Sequence, residues 1–70
     1  MKTINALIEN AKDGTYNIYC TEEIFSGVGA TIDAAKEDLI RQMMFYKETA
    51  ISEGLEYPAF LDDEFSICLA

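Results

Sequence analysis

Apolar residues recur at every second position up to Cys20, at every third or fourth position from Ile32 to Ala50, and at every second position again from Phe65 to Leu69. Period two marks a half-buried strand and a period near 3.6 marks an amphipathic helix. One helix must therefore pack on a sheet whose strands come from both ends of the chain. With 70 residues there is room for a single domain, spanning 1–70, and folding such a chain buries only about 60% of the surface that its unfolded form exposes. A deep catalytic cleft is not expected at this size.

The first strand is expected over Thr3–Glu9, with Ile4, Ala6 and Ile8 on one face and Leu7 on the other. Asp13-Gly14 then gives the hairpin its turn, because glycine supplies the positive φ that a short connection needs. Thr15–Cys20 returns with Tyr16, Ile18 and Cys20 on one face and Thr15, Asn17 and Tyr19 on the other. The charged stretch Thr21-Glu22-Glu23 interrupts the pattern, and Ile24–Ala30 reads as a loop entering a short, weak strand around Val28. Gly27 and Gly29 lie in this stretch, but no lysine follows, and a dinucleotide fingerprint would need a third glycine. They are read as a tight turn into the helix.

Thr31 is a suitable N-cap, Asp33 complements the helix dipole in the first turn, and Gly54 supplies a left-handed C-cap. The buried stripe is expected to run through Ile32, Ala35, Leu39, Met43, Tyr46 and Ala50, widened by Ile40, Met44 and Ile51. Glu37 and Arg41 have the spacing of an i,i+4 ion pair. Met43-Met44-Phe45-Tyr46 points large apolar groups in four directions, and Phe45 is the one left over. Beyond the helix, Leu55–Phe60 is expected to be extended, since Pro58 biases Tyr57 away from helix. The acidic run Asp62-Asp63-Glu64 then precedes the last strand.

Connection rules place the third strand beside the second and return the last strand parallel to the first. The expected fold is an α+β β-β-β-α-β arrangement, a four-stranded sheet of order 3-2-1-4 with one helix on one face. The opposite face would carry Leu7, Tyr19 and Phe25, so self-association is expected there, with Phe45 as a further contact. A core this small commonly supplies only about 3–5 kcal/mol of net stability, which association can supplement.

Thirteen acids against five bases leave a net charge of −8. That field repels phosphate backbones and attracts basic proteins. Direct nucleic-acid binding is accordingly disfavoured. No apolar run reaches the roughly 18 residues that span a bilayer, and the opening residues carry no secretory pattern. A cytoplasmic protein is expected, with Cys20 and Cys68 as reduced thiols. The chain has no histidine, which removes imidazole chemistry, and no CxxC pair suggests zinc. No cofactor, metal or catalytic residue is assigned. A divalent cation among Glu22, Glu23, Asp62, Asp63 and Glu64, as in a metal-dependent hydrolase, is the alternative that the acids leave open, although such runs usually form solvated loops.

The stretch Glu9–Glu37 carries Asp13-Gly14-Thr15-Tyr16 and then Gly29-Ala30-Thr31-Ile32-Asp33-Ala34-Ala35. In this it resembles the N-terminal, partial ribonuclease H-like domain of HicB-like antitoxins, and the last strand fits that domain too. Two departures stand out. The turn Thr21–Gly27 lacks the family's proline, and the chain stops where family members commonly continue into a DNA-binding module. The resemblance implies a binding module that neutralises a small basic mRNA-cleaving toxin by protein contact, without nuclease activity or operator binding of its own. Contacts are expected at Glu22, Glu23 and Phe25 in the divergent loop and at Asp62 and Asp63 before the last strand. A stand-alone structural or oligomerisation domain with no toxin partner is the alternative.

Overall fold

Strand β1 (Lys2–Asn10) and strand β2 (Tyr16–Cys20) form the antiparallel hairpin at the centre of the sheet, with Leu7 opposite Tyr19 and Ile8 opposite Ile18. These bounds come from a computed structural model, which describes residues 2–69; Met1 and Ala70 of the expected 1–70 span lie outside them. The turn is a three-residue loop. Gly14 N–H donates to the Ala11 carbonyl at 3.0 Å with φ at 90°, and Ala11 N–H donates to the Thr15 carbonyl at 2.8 Å. Asp13 Oδ1 accepts from both the Thr15 amide (3.0 Å) and the Thr15 hydroxyl (2.7 Å). Thr15 thus closes the loop opposite Ala11, where its side chain has a partner, and β2 begins one residue later than its alternation suggests.

After a five-residue loop, β3 (Ser26–Gly29) pairs antiparallel with β2 as the expected weak third strand. Gly27 and Gly29 are strand residues and neither has a positive φ. They form no turn. Their role is close packing: a Cβ on Gly27 would collide with the Leu39 amide nitrogen and lie 2.5 Å from the Ala35 carbonyl, and one on Gly29 would lie 2.6 Å from the Ala35 nitrogen. The helix backbone rests directly on the strand backbone.

Helix α1 (Ile32–Glu53) begins where Thr31 Oγ1 accepts from the Ala34 amide at 3.0 Å, and it ends at Gly54 with φ at 69°. Its buried residues are Ala35, Leu39, Met43 and Ala50. The stripe is narrower than the hydrophobic period suggests, because Ile32, Ile40, Tyr46 and Ile51 stay substantially exposed. The direct seat on β3 leaves no room for a broad apolar face. Arg41 pairs with Asp38 at 3.2 Å rather than with Glu37. Asp38 is held in place by its other oxygen, which accepts from the Val28 amide at 2.9 Å.

The return segment is not extended throughout. Pro58, with φ at −59°, leads into a 3₁₀ turn over Ala59–Asp62 that buries Phe60 and Leu61. Strand β4 (Phe65–Leu69) then lies parallel to β1, completing the sheet order β3-β2-β1-β4 with α1 on one face. The core comprises Ile4, Ala6, Ile18 and Cys20 from the sheet, Ala35, Leu39 and Met43 from α1, and Phe25, Phe60 and Leu61. Phe25 is the main departure from expectation. It is 5% exposed rather than on the open face, and its ring meets Tyr46 edge-on at 5.4 Å and Phe60 at 6.5 Å. Counting back by twos from Gly27 gives the reason, since Phe25 shares that residue's side of the sheet.

Candidate partner-binding surface

Phe25, one of the expected contact residues, is 5% exposed and lines one of two surface features from within. Its neighbours in the loop face outward, and Glu23 and Ile24 point into different depressions. One side chain serves each.

Glu23 lines an acidic depression of about 670 Å³ together with Asp63, Glu64 and Lys2. The Lys2 ammonium lies 5.8 Å from the centre of the Phe60 ring, and the Lys2 amide donates to the Glu64 carbonyl at 3.3 Å. Glu22 is exposed beside this site. Asp62 belongs elsewhere. Its carboxylate meets the Lys47 ammonium at 3.0 Å and accepts from the Tyr57 hydroxyl at 2.9 and 3.0 Å. Lys47 also donates to the Leu61 carbonyl at 3.2 Å, so the Asp62 cluster clasps the 3₁₀ turn to α1. The expected acidic run is therefore divided: Asp63 is exposed and lines the depression, while Asp62, its side chain 53% exposed, is ion-paired to Lys47. Among the described residues, no three His, Cys, Asp or Glu side chains are grouped so as to hold a metal ion.

Ile24 lines an apolar groove of about 460 Å³ along the free edge of β3, with Val28 on one wall and Gln42, Phe45 and Tyr46 on the other. Ile24 is 81% exposed and Phe45 66% exposed. This groove was not apparent from residue patterns. Its one signal is an isoleucine placed directly after two glutamates, with an apolar group left over at Phe45. Of the expected self-association residues, Leu7 and Tyr19 face each other across the two central strands, whereas Phe45 stands on the helix layer and lines the groove.

Hydrogen bonds and charge set the titration behaviour. The Val28 amide, then Arg41, holds the Asp38 carboxyl below its ordinary value of 3.8. Lys47, then Tyr57, does the same for Asp62, and the Thr15 hydroxyl and then its amide for Asp13. Asp62 in turn pushes both Lys47 and Tyr57 up. Burial raises the Cys20 thiol, with the charge of Glu23 adding to it. Cys68 is free and exposed.

Because the three carboxyls bind protons less readily folded than unfolded, their stabilising effect is complete above the ordinary value and is lost as pH falls through the folded values. Self-repulsion works the other way, since acidification from neutrality reduces the charge of −8 toward the isoelectric point near 4.1. The melting temperature is expected to rise gently from pH 7 to about pH 5 and to fall modestly below pH 3.8. Thermal melts followed by circular dichroism across that range check it. A flat profile below pH 3.8 would show that these bonds do not contribute.

No helix among the described residues is long and apolar enough to cross a membrane. In comparisons with known proteins, the chain matches no family model, no curated protein and no solved structure.

Proposed function

We propose that this chain is an antitoxin-type binding module, which neutralises a small basic mRNA-cleaving protein by direct contact in the manner of the HicB-like antitoxins it resembles. The observation that supports this best is the pairing of an acidic depression and an apolar groove on either side of the loop Glu22–Phe25. Each supplies what the other lacks. Apolar anchors seated in pockets carry most binding energy, while peripheral charge steers the encounter and sets its salt dependence. A body of net charge −8 attracts a basic partner over longer range. Glu22, Glu23 and Asp63 are the steering groups, Ile24 and Phe45 the apolar contacts, and the module acts in the cytoplasm.

The test is co-expression with the short basic protein encoded in the adjoining reading frame. A stable complex that relieves the partner's toxicity and weakens with added salt is expected. Lack of any such gene, or of a complex with its product, overturns the proposal. Glu23→Lys with Asp63→Lys should slow association by about tenfold and flatten its salt dependence without a matching change in dissociation. Unchanged association kinetics would remove these two acids from the encounter surface.

A further inference from the structure

On the face of the sheet away from α1, Glu9 is the only described strand residue with a formal charge, although 26% of the chain is charged. The other polar side chains on this face are neutral, among them Thr3, Asn5, Asn17 and Ser66. At the centre, Leu7 on β1 stands opposite Tyr19 on β2, and Leu7 is 37% exposed. Depletion of charge around an aromatic and aliphatic centre with a neutral polar rim is the composition of a protein–protein interface.

Charge also limits what can cover this face. A basic partner is drawn to carboxylates, which lie on the loops and the helix. A second copy of this chain brings the same net charge of −8 and is repelled wherever acids meet acids. The neutral sheet face is where two copies approach with least repulsion.

We propose that the open sheet face is a two-fold interface between two copies of this chain, with Leu7 and Tyr19 at its centre. Symmetry brings the same patch from each copy together, so the Leu7–Tyr19 pair of one protomer meets that of its partner and Glu9 lies toward the periphery. This does not depend on the toxin-binding proposal, and salt distinguishes the two. Screening weakens a complex of opposite charges but strengthens an assembly of like-charged copies.

Sedimentation equilibrium from micromolar to several hundred micromolar protein, at low and high salt, is the test. A dimer that tightens with salt is expected. Asn5→Glu combined with Ser66→Glu changes only exposed side chains, so the circular dichroism spectrum should be retained while the dissociation constant rises about tenfold or more. Leu7→Arg should do the same, and Phe45→Glu should leave the dimer intact. A monomer throughout, a dimer indifferent to the two new glutamates, or a dimer broken by Phe45→Glu overturns the proposal.

Discussion

Gly27→Ala is expected to lower the melting temperature by roughly 5–20 °C, from an overpacking cost of about 1–3 kcal/mol in a domain of this size. The new methyl group meets the Leu39 nitrogen and the Ala35 carbonyl, both helix backbone. Neither can rotate away as a side chain would. Helix and strand must separate, which loosens the contacts of Leu39 and Met43 along the same seam. Gly29→Ala meets the same obstacle one step along, at the Ala35 nitrogen and the Ala34 backbone. Gly54→Ala is the control, since nothing lies within 4 Å of the added carbon and the cost is only the left-handed backbone, about 1 kcal/mol. Thermal melts of the three variants rank the effects. A smaller loss at Gly27 than at Gly54 would refute the direct seat of α1 on β3.

Phe25→Ala is expected to remove most of the folded population, because truncating a buried phenylalanine costs about 3–5 kcal/mol and a core of this size supplies about as much in total. Phe25 joins the loop after β2 to both the helix and the 3₁₀ turn, through Tyr46 and Phe60, and Phe60 continues the contact to Phe65 at 5.4 Å. Its loss severs the aromatic contacts that run from Tyr46 on the helix to Phe65 on β4. Phe25→Leu keeps much of the apolar volume and should recover part of the lost stability. A contact residue on the surface would behave differently: its alanine variant would melt like the parent and lose only affinity. Melting and partner binding measured on the same variants distinguish the two.

The element order, the sheet order and both helix caps were legible because each rests on a local signal. The change of period separates Cys20 from Ile32, and the side-chain chemistry of Thr31 and Gly54 marks the helix ends. What was hidden depends on contacts between elements. A glycine has no side chain to register a hydrophobic period, so Gly27 and Gly29 read as a turn although the backbone of α1 lies where their side chains would be. The side on which Phe25 lies follows from the parity of β3, which a loop of unknown shape conceals. Arg41 was assigned to Glu37 by helix spacing alone, whereas the Val28 amide had already positioned Asp38. The division of the acidic run has the same origin. Lys47 and Tyr57 select Asp62 from distant and nearer parts of the chain, and only the folded 3₁₀ turn brings them together. The β3-edge groove, likewise, exists only once helix and strand are in contact.

The bond from the Val28 amide to Asp38 has one more consequence, for how far such chains can stack side by side. A sheet with two free borders can extend without limit when one molecule's last strand docks on another's first, producing filaments. Here β3 and β4 are the two borders, and on β3 a helix carboxylate occupies the amide that an incoming strand would need. A strand docking on that border has to displace this bond, so lateral growth is disfavoured on that side.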